Sequence, residues 1–178
     1  MFLAADVRRP ALLERAGLTV PGSRFTYARG RLVLWSRDPQ RIDDRGKVLA
    51  QGQLKRIALA NPKAAPYGAA ARAVLMHLNL WRPQQGRMVF GENVGQTFQF
   101  AASGNVDAAF VALSQVRQLP GTRHGSLWLV PENLYPPIEQ QAVLLKRAED
   151  NRSARAFVAF LRSPAAKRLI TAAGYGQP

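Results

Sequence analysis

A strand-to-helix turn bracketed by prolines constrains this chain more than any other stretch. In Ala58-Leu-Ala-Asn-Pro-Lys-Ala-Ala-Pro-Tyr-Gly-Ala-Ala-Ala71 an apolar strand runs into two prolines and a glycine, and an alanine-rich helix follows at once. Proline suits the first helical turn because the N–H it lacks would have no intrahelical partner there. The same logic returns at Met88-Val-Phe-Gly-Glu-Asn-Val-Gly-Gln-Thr97. Each turn aims the backbone N–H groups of a helix N-terminus beyond the end of a strand, where the helix dipole favours an oxyanion. Such turns also simply start helices in many α/β proteins, so spacing alone leaves an anion site and a bare cap both open.

Strands and helices alternate around these turns. Phe2 to Ala5 reads as a strand, and Asp6 as the N-cap of a helix from Arg8 to Ala16 that Gly17 stops. Phe25–Ala28 and Arg31–Ser36 alternate like strands, and the polar stretch Arg37 to Lys47 reads as loop. A strand over Leu54–Ala60 precedes a helix over Tyr67–Leu80; a strand over Arg87–Phe90 precedes a helix over Val94–Ser103. Further strands are expected at Ala108–Leu113, Ser126–Val130 and Gln141–Lys146, and helices at Ser153–Leu161 and Ala165–Ala173. The alternation predicts an α/β fold with mostly parallel sheets. Ligands of such folds sit beyond the carboxyl ends of the strands, where both turns would lie.

Composition removes several function classes. The 178 residues suffice for one domain or two small lobes, and 47% apolar with 20% charged residues is globular composition. The net charge of +14 invites a nucleic-acid reading, but the basic residues are scattered singly or in pairs, without a run of five. No nucleic-acid partner is therefore expected. With no cysteine there is no thiolate zinc site, disulfide or cysteine nucleophile. His77, in a helix, and His124, in a Gly-rich turn, have no second ligand at metal spacing. Neither a nucleophile elbow, a P-loop nor a dinucleotide fingerprint occurs, and Glu92 has no evident acid–base mate. Binding, not catalysis, is the expectation. No apolar run approaches the roughly 18 to 20 residues of a membrane helix, and the start Met1 to Asp6 does not read as a signal peptide.

An ordered set of motifs adds a resemblance. It comprises Phe2-Leu-Ala-Ala-Asp6, Gly30-Arg-Leu-Val-Leu-Trp-Ser36, Ala60-Asn-Pro-Lys63 with Ala65-Pro-Tyr-Gly-Ala-Ala70, Gly91-Glu-Asn-Val94 with Gln96-Thr97, and Gly104-Asn105 followed by Phe110-Val-Ala-Leu-Ser-Gln115. From Phe2 to about Tyr175 the chain resembles the periplasmic molybdate-binding proteins of ABC transporters. The resemblance implies a two-lobed type II periplasmic-binding-protein fold and a molybdate or tungstate ligand held between lobes that close on a hinge. It implies a membrane permease as partner, a periplasmic location, a monomer, and neither a cofactor nor a free metal cation. Lobe two would span residues 29–130, and lobe one residues 1–28 with 131–178. The segment Phe2–Asp6 matches a strand that family members reach only after a signal peptide and a first βαβ part, whose serine-bearing loops touch the oxyanion. The expectation is therefore an incomplete first lobe, an N-terminally truncated chain and weak binding.

The same resemblance implies the site residues. Tyr67, in the middle of the Pro66-Tyr67-Gly68 turn, matches a position that donates its backbone N–H to the anion. At the second turn, Asn93-Val94, the Val94 N–H is the matching donor. Some members place a tyrosine hydroxyl where this chain has Ala112, which leaves Ala112 as a lining position and the Tyr67 phenol as a candidate replacement. Two other readings stay open: a different oxyanion such as sulfate, and the ligand-sensing effector domain of a transcription regulator.

Overall fold

The apolar stretches form two separate sheets in the computed structural model, which describes residues 1–120 and 125–178. The chain starts with β1 (Phe2–Ala4), α1 (Arg8–Arg15), β2 (Phe25–Gly30), β3 (Leu32–Ser36) and β4 (Ile57–Ala60). Then come α2 (Pro66–His77), α3 (Trp81–Gln84), β5 (Met88–Gly91), α4 (Val94–Ala102), β6 (Ala108–Ala112) and α5 (Leu113–Arg117). The remainder is β7 (Ser126–Leu129), β8 (Ile138–Val143), α6 (Arg152–Arg162) and α7 (Pro164–Ala172). No described helix is long and apolar enough to cross a membrane.

These elements divide into two compact units, Met1–Gly30 with Ile138–Pro178, and Arg31–Pro137. In the first, β8 is the central strand of an antiparallel sheet ordered β1-β8-β2. After Ile138 it carries three polar residues, Glu139, Gln140 and Gln141, yet both glutamines are buried. The Tyr27 hydroxyl donates to Gln140 Oε1 at 3.0 Å, and Arg24 donates to Gln141 Oε1 at 2.9 Å. Gln141 Nε2 in turn donates to Thr26 Oγ1 at 3.1 Å. Each buried amide thus regains partners, without which its burial would be costly. Burial pushes the Tyr27 phenol above its ordinary range, and the nearby Tyr175 adds to the rise.

The second unit holds a five-stranded sheet ordered β5-β4-β6-β3-β7. Strand residues alternate between its two faces. Val33, Trp35, Ala58, Ala109 and Val111 form one core layer with Ala101 of α4, where Trp35 stacks on Phe98 at 5.1 Å. Leu32, Leu34, Ile57, Leu59 and Phe110 fill the other face together with Val74 and Leu75 of α2. The loop after β3 is ordered by Asp43, whose carboxylate accepts from the N–H groups of Arg45, Lys47 and Val48 at 2.9–3.1 Å. Desolvation alone would raise that carboxyl, but these donors outweigh it and hold it below the usual range.

Neither sheet is mostly parallel: the three-stranded sheet is antiparallel throughout, and the five-stranded sheet is mixed. Parallel pairing joins β4 to β5 and β6, the strands linked by helical crossovers, whereas β3 runs antiparallel to both β6 and β7. Several boundaries also move. Asp6 is not the N-cap, which is Val7, although the Asp6 carboxylate accepts the Arg9 N–H at 2.7 Å. The helix expected to reach Leu80 stops at His77: Asn79 adopts φ 59°, and Leu80 and Asn79 donate to the Leu75 and Met76 carbonyls at 2.7 and 3.0 Å. That is the Schellman pattern with asparagine in the left-handed position. The strand expected at Gln141–Lys146 begins three residues earlier, at Ile138, through the satisfied glutamines.

Candidate functional site

Three parallel strands, β5, β4 and β6, deliver their carboxyl ends to one end of the five-stranded sheet. Each leads into a helix there, so the first turns of α2, α4 and α5 gather at that end. Two glycines set how closely the long helices approach. A Cβ on Gly68 would lie 2.1 Å from the Ala60 carbonyl oxygen, so the first turn of α2 presses directly on the end of β4. A Cβ on Gly91 would lie 2.6 Å from Thr97 Oγ1, which fixes the first turn of α4 on the end of β5. The Asn61 N–H donates to the Gly91 carbonyl at 2.7 Å and extends the β4–β5 pairing into the turn itself.

The expected site residues fall as follows. Tyr67 is buried in the first turn of α2, behind the N-cap Ala65 and next to Pro66. Asn93 is the N-cap of α4, and its side chain accepts the Gln96 N–H at 2.9 Å while its carbonyl accepts the Thr97 N–H at 3.1 Å. Those two donors are thereby used within the helix end. The N–H groups of Val94 and Gly95 have no partner among the described residues. Ala112 closes β6 and is buried. Its N–H donates to Gln115 Oε1 at 3.0 Å, and the Leu113 N–H donates to the Arg31 carbonyl at 2.9 Å. The turn at Ala112 therefore offers an apolar wall, with the Ala112 and Leu113 N–H groups already used.

Gln115 was not among the expected site residues, yet it joins two of them. Its Nε2 donates to the Val94 carbonyl at 3.3 Å while its Oε1 holds Ala112, so Val94 and Ala112 are linked through one side chain. Tyr67 shares the sheet end with them through the parallel strands. The sequence signal for Gln115 is a glutamine at the third position of a helix, reaching back to the N-cap backbone. The sequence pattern marks no helix there: only Leu113, the first residue of α5, falls within an expected element, the end of the strand Ala108–Leu113. His77 is exposed at the end of α2, and His124 lies outside the described residues. Among the described residues no group of three His, Asp or Glu side chains is placed to hold a metal ion.

Helix N-termini gathered at the carboxyl ends of the strands of an α/β sheet lie where such folds take ligands. The family model for bacterial extracellular solute-binding proteins matches residues 1–176, and the chain belongs to that family. It is 49% identical over 176 residues to the molybdate-binding protein ModA of Azotobacter vinelandii, covering 99% of this chain and 70% of the relative. The ModA of Rhodobacter capsulatus is 47% identical over 175 residues, covering 98% of this chain and 68% of the relative. The solved structure of the Azotobacter vinelandii periplasmic molybdate-binding protein superposes with a TM-score of 0.92 at 45% identity, over 99% of this chain and 78% of that one. The chain accordingly has the α/β periplasmic-binding-protein fold.

Proposed function

We propose that this protein binds molybdate or tungstate and serves as the solute-binding component of an ABC importer in the periplasm. The observation that carries the reading is the 49% identity to a molybdate-binding protein over 99% of the chain. The site geometry agrees with it. The first turns of α2 and α4 would supply neutral backbone donors, from Tyr67 and from Val94 with Gly95, and Asn93 keeps the α4 turn open by capping the next two N–H groups. Ala112 would line the site, held in place by Gln115. Neutral donors suit a fully deprotonated tetrahedral dianion, because a ligand proton would meet no acceptor there. On this reading the unit Arg31–Pro137 is lobe two and the remainder belongs to lobe one. The partner is the membrane permease, the working form is a monomer, and neither a cofactor nor catalysis is involved. The named relatives are transport proteins, which favours this reading over a regulator's effector domain.

Thermal unfolding with added oxyanions tests it. Molybdate and tungstate should each raise the melting temperature in a concentration-dependent way, because a ligand that binds only the native state stabilises it. Sulfate and phosphate should neither reproduce the rise nor compete it away in calorimetric titration. A melting temperature indifferent to millimolar molybdate, on the order of the highest concentration at which binding would be specific, would sink the reading.

A further inference from the structure

A groove of about 620 Å³ opens at the β5 edge of the five-stranded sheet, lined by Asn61, Pro62, Lys63, Arg72, Trp81 and Phe90. Tyr67, Asn93, Val94 and Ala112 are not among them, although Asn61, Pro62 and Lys63 belong to the turn that leads from β4 into α2. Strand β5 ends the sheet, with β4 as its one strand neighbour among the described residues. Its outer side therefore presents backbone donors and acceptors that a further strand could pair. Phe90 is in register with Leu59 and lies on the same face of the sheet, the face covered by α2. Leu59 is fully buried there, whereas Phe90 is 50% exposed. Beside it, Arg72 lies over the Trp81 ring at 5.5 Å, and Lys63 stands exposed at the turn after β4. Neither cation forms an ion pair among the described residues.

We propose that this groove docks an extended acidic segment of a partner protein. The segment adds as a strand along β5, seats an apolar side chain between Phe90 and Trp81, and sets carboxylates against Lys63 and Arg72. Main-chain pairing supplies affinity in this mode, and the alternate side chains supply specificity. Charge complementarity selects the occupant. A second copy of this chain would bring another +14 against two uncompensated cations, so an acidic partner is favoured. A nucleic acid could answer the cations but would leave the Phe90 ring and the strand edge without partners.

A capped synthetic peptide of sequence Glu-Asp-Val-Leu-Val-Asp-Glu is the probe. Of the three tryptophans, Trp35 and Trp128 are buried and Trp81 is partly exposed, so tryptophan emission reports this groove. Titration should give a saturable emission change, with slowed amide hydrogen exchange at Met88–Gly91. Lys63→Glu combined with Arg72→Glu should weaken the peptide about tenfold or more, and a peptide with lysine replacing each acidic residue should not bind. Should the double variant fail to fold, Lys63→Glu alone, at an exposed side chain, carries the comparison. No saturable change, an undiminished affinity in the charge-reversed variant, or unchanged exchange along β5 would each overturn the proposal. The molybdate-dependent rise in melting temperature should persist in that variant, so failure here is distinguishable from failure of the oxyanion reading.

Discussion

Gly68 shows how a single missing atom places the first turn of α2. Its position is defined by contact, since a Cβ would stand 2.1 Å from the Ala60 carbonyl oxygen and 2.9 Å from the Asn61 carbonyl carbon. Both are backbone atoms at the end of a buried central strand, so neither can rotate aside as a flexible side chain would. Relief would require α2 to lift from β4 and the Val74 and Leu75 packing to loosen. Gly68→Ala should therefore destabilise the protein by about 2–3 kcal/mol, the range of an overpacked core, despite alanine's better helix propensity. Gly86→Ala is the matched control, because a Cβ there meets nothing within 4 Å. The control should stay within about 0.5 kcal/mol of the parent in urea unfolding. Equal stabilities of the two variants would show that the α2 turn is not held by close approach.

At the scale of elements, the α4 N-terminus couples stability to the site. Asn93 closes one orphan N–H with its side chain, Gln96 Oε1 accepts the Glu92 N–H at 2.7 Å, and the Val94 and Gly95 donors stay outward. Asn93→Ala should cost about 1 kcal/mol in urea unfolding and Asn93→Ser much less, since serine can accept the same bond. A loss no smaller in the serine variant would mean that Asn93 acts through something other than the cap. Elements of this kind were legible in the sequence. Pro66 at the helix start, Asn93 before Val94 and the apolar runs of β4 and β6 each follow from local sterics and hydrogen bonding. What stayed hidden depends on partners remote in sequence. The first half of β8 carries the polar run Glu139–Gln141 and still forms a central strand because Tyr27, Arg24 and Thr26 satisfy its glutamines. The antiparallel setting of β3 between β6 and β7 leaves no mark on the apolar pattern of β3 itself. In the site, Gln115 stayed hidden because the short helix α5 leaves no periodic mark, and its bond to Val94 joins residues remote in sequence.

For the whole molecule, the two units differ in how the chain builds them. Unit Arg31–Pro137 is continuous in sequence, and all five strands of its sheet lie within it. Its two ends are tied to each other. The Leu32 N–H donates to the Tyr135 hydroxyl at 3.2 Å, the Val130 N–H donates to the Leu32 carbonyl at 3.1 Å, and Arg31 faces Glu132 at 3.4 Å. Burial raises the Tyr135 phenol above its ordinary range despite the Leu32 N–H bond, so the hydroxyl keeps its proton as a neutral clamp. The other unit needs segments from both ends of the sequence, because β8 is the central strand between β1 and β2. Exposed Leu12, Leu18, Phe157, Phe160 and Leu169 all belong to that unit. Folding it requires closing a long loop before its sheet gains anything, which the continuous unit avoids. A fragment comprising residues 31–137 should therefore fold alone. It contains every tryptophan of the chain, with Trp35 at 1% and Trp128 at 5% exposure. The fragment should show blue-shifted emission and a single cooperative urea transition monitored by that emission, as small two-state domains do. Red-shifted emission without a transition would mean that the Tyr135 clamp and the enclosed core do not suffice, and that this sheet depends on the rest of the chain.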